Sequence, residues 1–277
     1  MELALGRHRY DVTHRALVMG ILNRTPDSFF DRGRWFALDD LVARADQLVA
    51  QGCDLLDVGG VRAGPGPAVS EAEELDRVIP VIEALHHRVE VPLSVDTWRA
   101  SVAKAAFEAG AVLGNDISGF SDPEYLGVAA AAGASVVATH IRLAPRVPDP
   151  DPHYADVVGE VSAFLVDRAG RATAAGIPPE GVILDAGLDL GKTAAQSLLL
   201  LRSSSTLAAL GHPLLLSASN KTFLGKLLDL ELGERREATL AATALGVGEG
   251  CRIVRAHDVL GTRRVVDVLA AITAADA

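Results

Sequence analysis

Asn23, Asp57, Asp96, Asn115, His140, Asp185, Lys221 and Arg255 each close a short apolar run or follow it within a few residues. They supply three carboxylates, two amides, an imidazole and two cations. Polar residues often end strands, and singly each of these fits that reading. Ser, Thr or Gly would serve as well, however, and all of these positions hold ionisable or amide groups. Carboxylates beside amides suit a flat heterocycle with donor and acceptor edges, because Asp accepts from paired N–H groups and Asn does both. Arg255 with His257, beside Asn23, suits a phosphate or pyrophosphate, since a guanidinium forks onto two oxygens. Lys221 supplies a point charge for an anion or a carbonyl.

The elements behind these residues recur. Ala16–Leu22 is apolar throughout and ends on Asn23, the pattern of a strand buried on both faces. A polar, turn-rich loop follows, and then Leu38, Leu41, Val42, Ala45, Leu48 and Val49 at helical spacing. Further strands are expected at 54–58, 92–95, 111–114, 134–138, 182–184, 214–216 and 252–254. Helices are expected between them, among them 194–210 and one long segment from Phe223 to about Leu245. Ser70 with Glu73 reads as a capping box, and Asp122-Pro123 as a helix start. Gly246, Gly248 and Gly250 read as a tight turn. The cycles number eight, and the alternation argues for parallel strands with right-handed crossovers. The expected fold is an α/β (β/α)8 TIM barrel in a single domain over residues 1–277, preceded by a short N-terminal hairpin.

Composition narrows the partners. The formal net charge is −10 and no basic cluster stands out, which argues against nucleic acid and anionic membranes. Hydrophobic residues make up 49% and aromatics 4%, an Ala/Val/Leu-rich balance suited to strands wrapped by helices. Cys53 and Cys251 are isolated, as expected of inert core thiols in a reducing cytoplasm. No run has membrane length, and no His/Cys/carboxylate group has zinc-site spacing.

The segments Met19-Gly20-Ile21-Leu22-Asn23-Arg24-Thr25-Pro26-Asp27-Ser28-Phe29, Asp57-Val58-Gly59-Gly60, Ser94-Val95-Asp96-Thr97, Asn115-Asp116-Ile117-Ser118-Gly119, Ser219-Asn220-Lys221 and Arg255-Ala256-His257-Asp258-Val259 resemble the dihydropteroate synthase family, in that family's order. The resemblance implies a pterin-binding barrel that joins a pterin methyl pyrophosphate to p-aminobenzoate and releases pyrophosphate. It implies that Asp96, Asn115, Asp185 and Lys221 hold the pterin. Asn23, Arg255 and His257 would hold the pyrophosphate, with Asn23 also a ligand to Mg²⁺. Asp31 and Phe29 would close over the site, and Lys221 would join them in catalysis. A homodimer is implied as well.

The departures are as informative. Loop two, usually Glu-Ser-Thr-Arg-Pro-Gly, reads Val61-Arg62-Ala63-Gly64-Pro65-Gly66, losing a hydroxyl and a guanidinium. Ser-Arg-Lys becomes Ser219-Asn220-Lys221. Asp189 stands where glycine is usual, Leu190 where a ring is usual, Thr139 where Met is usual, and Arg24 where a small apolar residue is usual. These changes fall mainly on the side resembling the p-aminobenzoate and loop-closure site. Two alternatives to the synthase reading therefore stand: a pterin-binding paralogue without transfer activity, and a transferase using another acceptor.

Overall fold

Short apolar strands become stable only when both faces are covered, and here one face meets the barrel interior while the other meets helices. The computed structural model describes residues 1–25 and 37–275. A hairpin of β1 (Glu2–Leu5) and β2 (His8–Asp11) comes first. The chain then runs β3 (Leu17–Asn23), α1 (Leu38–Ala50), β4 (Leu55–Gly59), α2 (Glu71–His86), β5 (Leu93–Asp96), α3 (Ala100–Glu108), β6 (Leu113–Asp116), α4 (Tyr125–Ala131), β7 (Ser135–Thr139) and α5 (Val157–Ala174). It continues through β8 (Val182–Asp185), α6 (Ala194–Arg202), α7 (Ser204–Ala208), β9 (Leu214–Leu216), α8 (Thr222–Leu228), α9 (Arg236–Gly248), β10 (Cys251–Ala256) and α10 (Val259–Ala274). Strands β3 to β10 close into a parallel barrel in which β10 pairs with both β3 and β9. The expected barrel and its hairpin are both present.

The hairpin plugs the N-terminal end of the barrel. Gly6, with φ of 56°, takes the first turn position, where a left-handed backbone is needed. Leu3, Leu5 and Val12 pack with Met19, Leu55, Leu113, Val137, Ile183, Leu215 and Ile253 in the central cluster. The Ser135 hydroxyl donates to the Ala4 carbonyl at 2.8 Å, tying plug to barrel.

Three helical expectations are corrected. The segment after β9 is two helices, not one: Asp229 turns left-handed (φ 54°), a 3₁₀ turn over Leu232–Glu234 follows, and α9 starts afresh. Sequence spacing missed the break because apolar residues continue through it. The 194–210 segment breaks at Ser203, and the Ser204 hydroxyl bonds back to the Leu201 carbonyl at 2.7 Å. Gly246 and Gly248 lie inside α9, and only Gly250 (φ 105°) makes the turn. A side chain at Gly246 would stand 2.6 Å from Leu216 Cδ2, so that glycine lets α9 approach β9.

Two capping readings change partly. Ser70 accepts from the Glu73 backbone N–H, but the Glu73 carboxylate pairs with Arg77 rather than completing the box. Asp122 accepts from Glu124 N at 3.0 Å, and its other oxygen caps α3 through Ala100 N at 2.9 Å.

Candidate functional site

Because strand side chains alternate, two residues beyond the central apolar position of most strands the interior turns polar. Leu55 is followed inward by Asp57, Leu113 by Asn115, Val137 by Thr139, Ile183 by Asp185 and Ile253 by Arg255, with Ser94 and Asp96 supplied by β5. These residues form a polar floor at the C-terminal mouth of the barrel.

Asp57 is its hub. Its carboxylate accepts from the Ser94 hydroxyl (2.6 Å), Asn115 Nδ2 (3.1 Å) and Arg255 Nε (2.6 Å). Arg255 also donates to Asp96 Oδ2 at 2.8 Å. Burial opposes the Arg255 charge, yet Asp57 and Asp96 outweigh it and raise its pKa. Burial pushes the Asp96 carboxyl up, with Arg255 opposing and Asp57 reinforcing. The Asn115 amine faces Asp57, which leaves its carbonyl turned the other way as an acceptor. Asp185 is raised by burial and accepts from Gly187 N at 2.7 Å. Gly187 is obligatory there, because its φ is 63° and a Cβ would lie 1.9 Å from the His140 carbonyl oxygen. Thr139 stands in register with Asp185. Its buried hydroxyl has no hydrogen-bond partner among the described residues.

The cationic side of the mouth comes from β9 and β10. Lys221 Nζ donates to the Leu188 carbonyl at 2.8 Å, and burial lowers its pKa against the pull of Asp189 and Asp185. His257 bonds through Nδ1 to the Ser219 hydroxyl at 2.9 Å. Burial, then the charges of Arg255, Arg44 and Lys221, lower its pKa to about 3, so the ring is neutral at physiological pH. Asn23 sits beside Gly59, where a Cβ would come 3.1 Å from Asn23 Oδ1. Among the described residues no group of three His, Cys, Asp or Glu side chains could hold a metal.

The structure therefore brings Asp96, Asn115, Asp185, Lys221 and Arg255 to one end of the barrel, with Asn23 and His257 at its strand ends. Asp31 and Phe29 lie outside the described residues. His140 is not part of the floor. It follows the inward Thr139 and points outward, where Lys192 Nζ meets its Nδ1 at 2.9 Å and the Phe164 ring packs edge-on. Burial, then Lys192, lowers the His140 pKa to about 3, and burial lowers Lys192 to about 7. Sequence reasoning gave Ser219 and Ser94 no role beyond motif membership, although both are hydrogen-bonded to site residues.

The departures have structural partners. Asp189, left-handed at φ 66°, accepts from the backbone N–H groups of Thr222 (2.5 Å) and Phe223 (3.2 Å), pinning the loop after β8 to the start of α8. Arg146 staples loop two. Its backbone N–H donates to Ala63 O (3.2 Å), and its guanidinium donates to Arg62 O (3.3 Å) and Pro67 O. Arg62 itself is exposed and lies over Gly64. Arg24 donates to the carbonyls of Asp76 (3.1 Å) and Arg77 (3.2 Å) in α2. Pro80 has no N–H for the Asp76 carbonyl, so Arg24 supplies the missing donor.

Comparison with known proteins agrees with this geometry. The family described as "Pterin binding enzyme" matches residues 19–257. "Inactive dihydropteroate synthase 2" of Mycobacterium leprae is 45% identical over 264 residues, covering 93% of this chain and 91% of that protein. Dihydropteroate synthase of Synechocystis sp. is 41% identical over 273 residues, covering 98% and 94%. The structure of Yersinia pestis dihydropteroate synthase with a sulfonamide drug complex superposes with a TM-score of 0.95 at 37% identity, covering 99% of this chain and 100% of that one.

Proposed function

The chain belongs to the family of pterin-binding enzymes, and from that premise we propose that it is a dihydropteroate synthase-type transferase. It joins 6-hydroxymethyl-7,8-dihydropterin pyrophosphate to p-aminobenzoate. The observation that carries this reading is the Asp57-centred network, which presents Asp96, Asn115 and Arg255 together at the barrel mouth.

Asp96, Asn115 and Asp185 hold the ring edge, with Lys221 at a ring acceptor. Asn23, Arg255 and His257 hold the pyrophosphate. The bond between the exocyclic methylene and the pyrophosphate oxygen breaks, and its electron pair leaves with the pyrophosphate. Buried carboxylates beside the ring stabilise the positive charge left on the methylene, because a dry site magnifies their effect. The aryl amine lone pair then forms the new C–N bond, and its surplus proton passes to water. Asp31 and Phe29 are assigned to closing over this cation. The described residues do not form a protein cage for Mg²⁺, but an ion carried on the diphosphate needs only one or two protein oxygens. Asn23 Oδ1 would hold it there, and the ion would neutralise charge on the leaving group. We infer a cytoplasmic homodimer built on one barrel domain. In support, both cysteines are free and buried, and among the described residues no helix is long and apolar enough to cross a membrane.

A second reading is a pterin-binding paralogue with lost or altered transfer. The 45% identity to the M. leprae protein named inactive favours it, as does a loop two lacking its Thr and Arg. Calorimetry with the dihydropterin pyrophosphate and a coupled pyrophosphate-release assay with p-aminobenzoate separate the readings. Binding with turnover supports the synthase, binding without turnover supports the paralogue, and absence of binding removes both.

A further inference from the structure

Ser219 lies just beyond β9, and His257 just beyond the neighbouring β10. The serine hydroxyl meets the same histidine twice. Its oxygen accepts from the His257 backbone N–H at 3.1 Å, and it lies 2.9 Å from His257 Nδ1. A hydroxyl carries one hydrogen and two lone pairs. The backbone N–H takes one lone pair. If Nδ1 also bore a proton, the serine would receive two donors and its own hydrogen would lack this acceptor. The matched arrangement is Ser219 O–H donating to bare Nδ1. A neutral imidazole has one ring proton, which is then on Nε2.

We propose that Ser219 is a positioning residue: it locks His257 as the Nε2–H tautomer and fixes the ring plane, so that this histidine meets the diphosphate as a neutral hydrogen-bond donor. The proposal rests on the assignment of His257 to the pyrophosphate made above. Its physical content is selectivity of orientation. Without Ser219 the contact that keeps Nδ1 turned inward is lost, and an Nδ1 lone pair turned outward repels a phosphate oxygen. The hydroxyl removes that orientation before the ligand arrives, which lowers the ordering cost of binding. Neutrality is useful here, since a donor without charge grips the departing anion without holding it as a salt bridge would.

The test combines a spectroscopic readout with a binding readout. Nitrogen chemical shifts of His257 in ¹⁵N-histidine-labelled protein, assigned by comparison with His257→Gln, report the protonated ring atom. Calorimetry gives the affinities for the dihydropterin pyrophosphate and for the same pterin bearing a free hydroxymethyl group. The intact protein is expected to show a bare Nδ1 and a protonated Nε2. Ser219→Ala is expected to show a tautomer mixture and to bind the pyrophosphate form about tenfold more weakly, a loss in the range for a hydrogen bond to a charged group. Affinity for the hydroxymethyl pterin should stay within about twofold. Ser219→Thr, which keeps the hydroxyl, should restore both readouts. The proposal is overturned if Ser219→Ala leaves the tautomer unchanged, or if it weakens both ligands equally, as a purely structural role would. It is overturned also if His257→Gln binds the pyrophosphate form as well as the unaltered protein does. In that last case a preserved Nε2–H tautomer places the fault in the pyrophosphate assignment rather than in the serine lock.

Discussion

Asp57, on the floor of the mouth, accepts from three side chains on three other strands, whereas loop two, on the rim, is held by arginines gripping its backbone, Arg146 at its middle and Arg77 and Arg99 at its ends. The floor matches the family motifs almost residue for residue. The rim does not, yet Arg146, Asp189 and Arg24 each tie a departing loop to a neighbour. Side-chain networks on adjacent strands are interdependent, so one change leaves several buried groups unpaired. A loop held by its carbonyl oxygens is indifferent to its own side chains, which frees them to change. Ligand chemistry that needs a shared carboxylate hub therefore belongs on the floor, and variation in acceptor belongs on the rim.

Breaking the hub should have the largest effect. Asp57→Ala leaves the buried Arg255 with Asp96 but without its second carboxylate, and Ser94 and Asn115 without their acceptor. It should cost about 3–5 kcal/mol of stability, measured by urea denaturation, and abolish pterin binding. Retention of either property would mean that the network is not cooperative. Arg255→Ala should weaken the hydroxymethyl pterin as well as the pyrophosphate form, since Arg255 also braces Asp96. The pyrophosphate form should still lose more, because the bidentate contact to phosphate proposed for Arg255 would be lost as well. Equal losses in calorimetry would leave Arg255 only its bracing role.

The outward pair behind the floor sets a pH dependence. Burial and Lys192 lower the His140 pKa to about 3, below the usual value of 6.5. Between these limits the unfolded chain takes up a proton that the folded chain refuses. The contribution of His140 is thus fully present above about pH 6.5 and is lost as the pH falls towards 3. Stability curves of the unaltered protein and His140→Gln should differ in slope across that window. Parallel curves would show that the ring is protonated in the folded state.

The rim should respond more mildly. Arg146→Ala should cost about 1 kcal/mol and raise amide exchange at residues 62–67. Reintroducing Thr at Ala63 and Arg at Gly64 should raise turnover further once Arg146 is removed, and an unchanged rate would show that loop two is not the limiting defect. The smallest change is expected from Thr139→Val. Its buried hydroxyl lacks a partner among the described residues, so an isosteric methyl should leave thermal stability unchanged or raise it by up to about 1 kcal/mol. A loss of stability would reveal a partner for that hydroxyl.

Much of the floor was legible beforehand. Asp96, Asn115, Asp185 and Arg255 follow apolar runs, and the run-then-polar pattern is local. His140 shows where such reading fails. It ends an apolar run as Asp185 does, but one residue of strand phase turns it outward and leaves Thr139 inside. Asp189 stands where the family usually has glycine, and only the fold shows its carboxylate capping the start of α8. In the sequence Asp57 is one strand end among several, because its three partners lie 37, 58 and 198 residues away in the chain.

The amino-acid sequence by itself determined the alternation of buried strands and amphipathic helices, the barrel that alternation closes into, and the residue types offered at its mouth. Hydrophobic period is a local property, and eight such units leave little choice of topology. Only the tertiary structure decided which strand-end side chains face inward, that Arg255 spans Asp57 and Asp96, and that Ser219 addresses His257. Those outcomes depend on strand phase and on hydrogen bonds between distant segments, and they exist only once the barrel has closed.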